Sequence, residues 1–391
     1  MIKPTVAVNL LWVSTQDKTG AFIYLVNLLD RLLPLDTETK FWLISRQRDE
    51  RFLKRRYGRY PNVGFYVCDF RADLCRRPLR ALGKLWRRWR RDEAGLEKSI
   101  ALELNELIER RQIKKMFFPN QLIYPRGLAG VEQFVTILDL QHEYLPENFS
   151  AREIANRRAN LSHIAGAARR LLAISEYTKQ TLVEKLGLPA AKIVVTPLGP
   201  DEQATAPEAI NLAKPFLFYP AALWPHKNHR LAIEVLQRLA VKHPTLRLVF
   251  SGVIKKPKLK TELEKLTDDY QLTDRVHWLG FVSDAAIAWL YQNAALMIFP
   301  SRFEGFGMPI LEAYRHHLPV VAARNTSLTE VAGDAALLCE TDNIAAFTAA
   351  VERVLGDSQS RQKMIVAGIQ QLTRFSWQQT AQTTLAAMLD K

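Results

Sequence analysis

The sequence predicts an α/β protein made of two doubly wound parallel-sheet domains. Its 391 residues exceed the roughly 250–300 at which a single hydrophobic core stops growing. Short runs of β-branched and aromatic residues alternate with helical stretches along the whole chain, which is typical of βαβ units and of parallel sheets. These runs are too many for one comfortable sheet, so two sheets are the simpler prediction.

The predicted strands fall into two groups in chain order. The first group is TVAVNLLWV, KFWLIS, NVGFYV, KKMFF, QFVTILDL, RRLLAIS and AKIVVTPLG. The second group is PFLFYPA, LRLVFSG, RVHWLGF, ALMIFP, PVVAA and AALLC. Between them, Pro200–Pro215 is rich in alanine and proline and lacks periodicity, as a linker would be. We therefore expect an N-terminal domain over residues 1–200, a C-terminal domain over 201–373 and a final helix over 374–391.

The composition is that of a globular protein, with 48% hydrophobic and 24% charged residues. The longest apolar runs fall far short of the roughly 20 residues that span a bilayer. The first apolar run, TVAVNLLWV, is better explained by a buried strand than by a signal peptide. Three cysteines without zinc spacing (Cys68, Cys75 and Cys339) indicate reduced thiols. Together these features predict a cytoplasmic protein.

Positive charge is concentrated in the first half of the chain. Residues 1–200 hold 34 Lys and Arg against 21 Asp and Glu, a net charge of +13, while the remaining residues hold 20 against 19. This asymmetry indicates that the two halves face different partners.

The segment PSRFEGFGMPILEAYRHHLPVV (Pro300–Val321) follows a predicted strand and holds two glutamates eight positions apart. Gly305 and Gly307 allow backbone amides to approach a ligand closely, and the helix that follows would direct its positive end at an anion. Beside such a site, Glu304 and Glu312 suit hydroxyl groups or a developing positive charge, and a sugar phosphate offers both. The alternative is a helix with one capping and one solvated glutamate.

The segment FYPAALWPHKNHRLAIEVL (Phe218–Leu236) places Lys227 at a strand-to-helix junction. A lysine there is well placed to reach a phosphate as a point charge. A solvated surface lysine is the alternative.

Five ordered segments resemble glycosyltransferase family 4, the retaining nucleotide-sugar glycosyltransferases with the GT-B fold of two Rossmann-like domains facing across a cleft. FEGFGMPILEA looks like the Glu-x7-Glu signature of this family. The other four segments are PHKNH, LLAISEYTKQTLVEKLGLPAAKIVVTPLGPD, DLQHEYLPENFS and NTSLTEVAGDAALL. The resemblance covers residues from about 134 to the C-terminus well and the first 130 only in outline. It also implies that the N-terminal domain binds the acceptor, that the C-terminal domain binds the nucleotide sugar, and that the last helix crosses back onto the N-terminal domain.

The resemblance implies a role for each matching residue. Glu304 would face the transferred sugar, Glu312 would hold the ribose hydroxyls, and Lys227 would neutralise the diphosphate leaving group. The backbone of residues 305–308 (Gly305, Phe306, Gly307 and Met308) would meet the donor phosphates and sugar. The amides that follow Thr19 and Gly20 would line the cleft from the N-terminal domain.

Three positions depart from the family pattern. Ala221 stands where the family often has an arginine, and the glycine-rich loop is reduced to DKTGAF. Leu138 takes the place of a histidine in TILDLQHE, which leaves Asp139 and His142 as candidate catalytic residues. His142 would contact the sugar or the acceptor, or else be a hydrogen-bonded loop histidine.

The expected chemistry uses no metal and no cofactor, since no Asp-x-Asp pair occurs to hold a divalent cation on a diphosphate. The resemblance implies a retaining hexosyltransferase of surface polysaccharide assembly, most similar to mannosyl- and rhamnosyltransferases. GDP-mannose is the expected donor, and a glycan or lipid-linked saccharide is the expected acceptor. A sugar-nucleotide 2-epimerase on the same fold and a non-catalytic membrane- or nucleic-acid-binding protein are the alternatives.

The basic stretch CRRPLRALGKLWRRWRR predicts a helix from Pro78 to Arg91 with leucines and tryptophans opposite arginines. Such a helix suits an anionic membrane surface, so we expect peripheral contact with the inner face of the cell membrane. A solvated helix that packs its tryptophans on the domain is the alternative. Nucleic acid is not the expected partner because no other segment resembles a reading module.

Overall fold

The computed structural model describes residues 4–12, 20–68, 85–200 and 206–390, and side chains are described outside 85–94. All strand pairs in it are parallel and form two sheets. The first sheet contains β1 to β7: Thr5–Asn9, Lys40–Arg46, Val63–Cys68, Lys115–Phe118, Glu132–Ile137, Ala168–Ala173 and Ile193–Val195. The second contains β8 to β13: Phe216–Pro220, Arg247–Ser251, Val276–Trp278, Leu296–Phe299, Val320–Ala323 and Leu337–Cys339.

Helices connect most of the consecutive strands in the described chain; β4 to β5 and β7 to β8 are exceptions. Those that accompany the first sheet are α1 to α6: Gly20–Leu35, Gln47–Tyr57, Leu85–Arg111, Gln141–Tyr144, Ala151–Ala167 and Glu176–Leu186. The others are α7 to α14: His229–Leu239, Pro257–Asp269, Asp284–Asn293, Met308–Arg315, Leu328–Ala332, Ile344–Gly356, Ser358–Leu372 and Trp377–Leu389. The prediction of an α/β fold with two doubly wound parallel sheets is therefore confirmed.

Each of the thirteen predicted strand segments contains an observed strand, but the first strand ends earlier than the apolar run TVAVNLLWV predicts. The side chain of Asn9 causes this. Its Nδ2 donates to the Tyr124 carbonyl at 2.8 Å, and its Oδ1 accepts from the Leu11 amide at 3.2 Å. Such a local side-chain bond turns the backbone out of the strand. The Leu10 amide still donates to the Ile44 carbonyl of β2 at 2.8 Å, so Leu11 and Trp12 lie beyond the carboxyl end of the strand.

Each sheet has one switch point. There the chain stops adding strands on one side of the sheet's first strand and begins to add them on the other side. The first sheet runs β3-β2-β1-β4-β5-β6-β7, so the reversal lies between β1 and β4. The second runs β10-β9-β8-β11-β12-β13, and its reversal lies between β8 and β11. In open parallel sheets, ligands bind outside the carboxyl ends of the strands at such switch points. Two places in the fold are therefore marked by topology alone.

The last helix, α14, packs against the first sheet's half of the molecule. The ring of Trp377 is 1% exposed and lies 6.1 Å from the ring of Tyr24 on α1. The hydroxyl of Thr380 donates to the Pro197 carbonyl, and Asp390 pairs with Arg170 of β6 at 3.2 Å. The C-terminal residues thus pack against the N-terminal half of the molecule and stabilise it.

Among the described residues, no helix is both long enough and apolar enough to cross a membrane. Helix α3 is described from Leu85 onward, and the start of the predicted basic helix at Pro78 lies outside the described residues, as do the side chains through Arg91.

Candidate functional site

Lys227 and Glu304 meet at the switch point of the second sheet. Lys227 ends a short 3-10 turn after β8, and Glu304 lies in the loop after β11. The Lys227 Nζ and Glu304 Oε1 atoms are 2.6 Å apart, and the two side chains are 18% and 12% exposed. A pair so withdrawn from water interacts more strongly than a surface ion pair. Two residues 77 positions apart in sequence thus form one charged group.

The backbone around Lys227 is fixed by hydrogen bonds from buried groups. The Tyr219 hydroxyl at the end of β8 donates to the Lys227 carbonyl at 2.5 Å. The Arg302 amide donates to the His226 carbonyl at 2.7 Å, which ties this turn to the loop that carries Glu304. Both members of the pair are therefore preorganised by main-chain contacts.

Two histidines beside the pair are held neutral. Burial, followed by the charge of Lys227, lowers the pKa of His226 to about 4. Burial likewise lowers the pKa of His229 to about 3, and its Nε2 lies 3.4 Å from the carbonyl of Ala221. At neutral pH both rings are uncharged. Ala221, which stands where the family that the sequence resembles often has an arginine, therefore faces the neutral imidazole of His229.

The loop between β11 and α10 presents its backbone at the same edge. Gly307 has φ +105°, a left-handed conformation that favours glycine, and it precedes Met308 at the start of α10. The Ser327 hydroxyl lies 2.9 Å from the Glu304 carbonyl and 2.8 Å from the Phe306 carbonyl. We call residues 303–307 the donor loop, after the role that the sequence resemblance implies for them. Glu312 lies on α10 in a half-buried position, and its charge adds to burial in raising the pKa of Tyr291.

The first half of the molecule contacts the donor loop directly. The Ser175 hydroxyl, which follows β6, lies 2.8 Å from the Gly305 carbonyl, and the Thr178 hydroxyl lies 3.4 Å from it. A Cβ added at Gly305 would lie 2.3 Å from the Leu138 carbonyl, closer than any real contact. Gly305 is thus required for the close approach of the two halves.

An aromatic cluster extends this contact. The ring of Phe303, directly before Glu304, lies 5.7 Å from the ring of Tyr144 on α4 and 6.0 Å from the ring of Tyr177 on α6. Phe303 is 4% exposed. The residue next to Glu304 is therefore anchored by side chains from the other sheet's half.

The other predicted site residues differ in their placement. Asp139 lies beside the donor loop, with its Cβ 3.2 Å from a Cβ added at Gly305, and its carboxylate accepts from the Gln141 amide at 2.9 Å. His142 is fully buried, with its Nε2 3.5 Å from Glu143, and burial lowers its pKa. Neither ring nitrogen makes a hydrogen bond within the described part of the chain. Gly20 is the exposed first residue of α1.

Sequence reasoning assigned no role to Ser175, Thr178 or Glu330. Ser175 caps α6 by accepting from the Thr178 amide at 3.0 Å, and a serine before a helix is a readable sequence signal. Glu330 on α11 lies beside the backbone of Tyr177 and Glu176 in the other half. Burial raises its pKa to about 7, and this polar backbone opposes the rise. No local pattern reveals such a contact between distant segments.

Within residues 4–12, 20–68, 85–200 and 206–390, no group of three or more His, Cys, Asp or Glu side chains is arranged to hold a metal ion.

Residues 201–371 match the family described as glycosyl transferases group 1. The chain is 28% identical over 271 residues to O-antigen chain mannosyltransferase B of Escherichia coli. This alignment covers 64% of this chain and 68% of that protein. It is 27% identical over 220 residues to MMP alpha-(1->4)-mannosyltransferase of Mycolicibacterium hassiacum, covering 55% and 53% of the two chains. The second match thus spans about half the length of its relative.

Solved structures cover nearly the whole chain. HepE of Anabaena in complex with UDP and glucose superposes with a TM-score of 0.71 at 18% identity, covering 99% of this chain and 100% of that one. A glycosyltransferase of Rickettsia africae gives a TM-score of 0.70 at 16% identity, covering 99% and 98%. At these identities the likeness shows the fold. Residues 201–371 thus match the glycosyl transferases group 1 family, the fold is that of the GT-B enzymes, and the chain is a glycosyltransferase that resembles the O-antigen mannosyltransferases.

Proposed function

We propose that the protein transfers a mannosyl group from GDP-mannose to a glycan or lipid-linked saccharide, with retention of anomeric configuration and without a metal ion. The observation that carries this proposal is the Lys227–Glu304 pair, 2.6 Å apart at the switch point of the second sheet. One member offers positive charge to a leaving diphosphate and the other offers negative charge to an oxocarbenium-like sugar.

In the proposed reaction, the bond between the anomeric carbon and the diphosphate oxygen breaks and the electron pair leaves with the diphosphate. The Lys227 ammonium offsets the charge that develops there. The acceptor hydroxyl forms the new bond on the same face of the sugar, and its proton passes to the departing phosphate oxygen. Glu304 stabilises the positive charge on the sugar ring. Asp139 lies close enough to the donor loop to contact the sugar or the acceptor.

The remaining donor contacts follow from the loop geometry. The amides of residues 305–308 lie at the N-terminus of α10, where unpaired N–H groups and the helix dipole favour an anion. Glu312, half-buried on the same helix, is placed to accept from the ribose hydroxyls. The donor would then be held at the phosphates and at both sugars.

The choice of mannose is supported by the mannosyltransferases among the relatives, including O-antigen chain mannosyltransferase B. Acceptors of such glycan assembly are membrane-bound in the family that the sequence resembles. We therefore also propose peripheral binding to an anionic membrane through Pro78–Arg91. Binding of the protein to phosphatidylglycerol vesicles, and its loss when the arginines of this segment are replaced by glutamine, would test this part.

The main proposal is tested first by thermal shift with GDP, UDP, ADP and TDP, because a ligand that binds the folded state raises its melting temperature. GDP should give the largest shift. GDP-mannose is then incubated with and without an O-antigen-type mannan acceptor, and products are followed by NMR. Acceptor-dependent product with an axial, retained anomeric bond supports the proposal. Conversion of the donor sugar to its epimer without acceptor would identify the 2-epimerase instead.

A further inference from the structure

The switch point of the first sheet is occupied by an aromatic group. Trp12 follows β1, and Tyr124 follows β4, the two strands between which the order reverses. Trp12 is 44% exposed. A lone exposed tryptophan would mean little. Its position at a switch point is what sets it apart.

The Trp12 ring is fixed from two sides. The Tyr124 ring lies edge-on at 5.3 Å with an interplanar angle of 87°, and the Arg46 guanidinium lies 5.0 Å from the Trp12 ring centroid. Arg46 ends β2 and is 2% exposed, so it supports the ring from inside the protein. The Asn9 bond to the Tyr124 carbonyl joins the two strand ends beneath the rings. Such a ring is preorganised for a ligand.

This edge of the first sheet faces the donor loop. Leu138 follows β5 and Ser175 follows β6, and both contact Gly305 of the donor loop. All strands of the sheet are parallel, so residues after β1 and β4 emerge at the same edge as those after β5 and β6. Trp12 and Tyr124 therefore lie on the side from which an acceptor would approach the donor sugar.

We propose that Trp12, backed by Arg46 and flanked by Tyr124, is the surface on which a hexose unit of the acceptor saccharide stacks. A pyranose ring presents a face of C–H groups, which carry partial positive charge and are attracted to the negative face of an aromatic ring. A lipid chain would require a wider apolar surface than a single aromatic pair flanked by Asn9 and Arg46. This inference names the acceptor side of the proposed function and rests on it.

The test uses saccharides rather than turnover. Binding of methyl α-mannoside, methyl α-glucoside, methyl α-rhamnoside and mannotriose to the full-length protein is measured by saturation-transfer NMR and by calorimetry. The wild type should bind at least one of them. Trp12→Leu, which keeps apolar area but loses the flat face, should weaken that binding about tenfold, the scale of one aromatic contact. Trp12→Tyr should stay within about threefold of the wild type.

Leu102→Ala is the matched control, because Leu102 is 59% exposed on α3 and does not follow a strand of the sheet. It should leave saccharide binding unchanged, and GDP binding should be equal in all four proteins. Equal saccharide binding by wild type and Trp12→Leu, or no binding by the wild type, would overturn the inference. If GDP fails to bind while saccharide binding depends on Trp12, the proposed function fails and the saccharide site stands.

Discussion

The two switch points share one topology but differ in chemistry. At the second sheet, two mostly buried side chains of opposite charge lie 2.6 Å apart, in a half of the chain whose net charge is close to zero. At the first, an exposed tryptophan rests on a buried arginine, in a half whose net charge is +13. One fold, used twice, thus presents a charged pair at one switch point, where we propose that the diphosphate binds, and a flat aromatic surface at the other, where we propose that a sugar stacks.

The two sites also differ in how they are held. The turn that carries Lys227 is fixed by its own half, through Tyr219 and the Arg302 amide. The donor loop is fixed by both halves, because Ser175 and Leu138 contact Gly305. We therefore expect turnover to depend on contact between the two halves. Substitutions at Glu304 and at Gly305 should separate the effect of charge from the effect of this contact.

The largest effect is expected for Glu304→Gln, which keeps the shape of the side chain but removes the charge that is proposed to face the sugar. Turnover should fall by about 10²–10³, the cost of removing one electrostatic group from a preorganised site. GDP release measured with GDP-mannose and acceptor checks this. Glu264→Gln, on the surface of α8, is the control and should retain full activity. A Glu304→Gln protein with wild-type turnover would remove Glu304 from the mechanism.

Gly305→Ala tests contact between the halves without a change in charge. The new Cβ would lie 2.3 Å from the Leu138 carbonyl, so the donor loop and the first half must separate. We expect turnover to fall about 100-fold, since misplacement by about 1 Å at a reacting centre has that effect. Gly166→Ala, on α5 with open space around the new methyl, is the matched control. Equal rates for both variants would contradict the contact shown at Gly305.

Ser175→Ala removes three hydrogen bonds: the cap of α6, the bond to the Thr178 hydroxyl and the bond to the Gly305 carbonyl. Ser283→Ala removes the cap of α9 and an exposed bond to Glu208 but leaves the bond to the Gly305 carbonyl in place, so it serves as the control. Both should destabilise the protein by about 1 kcal/mol, the typical cost of a lost cap. Ser175→Ala alone should also lower kcat several-fold with little change in the donor KM. If the two variants have the same kcat, Ser175 has a structural role only.

The smallest effect concerns the pH dependence of stability through Glu330. Its pKa in the folded protein is raised to about 7 from an ordinary value of 4.5. Below pH 4.5 the group is protonated in both states, so it carries no penalty. Between pH 4.5 and 7 the unfolded state loses its proton first, and the free energy of unfolding falls; above pH 7 the full penalty is present. Removal of the charge should therefore help only at high pH.

The melting temperature of Glu330→Gln should equal that of the wild type at pH 4.5 and exceed it at pH 8. Glu352→Gln should behave in the opposite way, because its bond to Lys242 lowers the pKa of Glu352. A Glu330→Gln protein that is less stable than the wild type at pH 8 would show that the charged form of Glu330 stabilises the contact.

The sequence was sufficient to predict the fold class, both groups of strands and the charged residues of the second switch point. Apolar periodicity and strand-end motifs carry that information because they are local. The position of Trp12, the proposed acceptor contact, was not predictable in the same way. Trp12 belongs to an apolar run that appeared to be one strand, and only the Asn9 side-chain bonds place it beyond the sheet edge. Contacts such as Ser175 to Gly305 join residues 130 apart, so no local pattern reports them.

We infer that Lys227 and Glu304 form the charged part of a donor site. Measurement of GDP binding is the most direct check of this role. Calorimetric titration of wild type, Lys227→Met and Glu304→Gln with GDP compares the two charges at one position. Lys227→Met should weaken binding about tenfold or more, because the diphosphate loses its cation. Glu304→Gln should tighten it, because Lys227 is freed from its partner and a negative charge is removed. Unchanged GDP affinity in both Lys227→Met and Glu304→Gln would rule out this role for the pair.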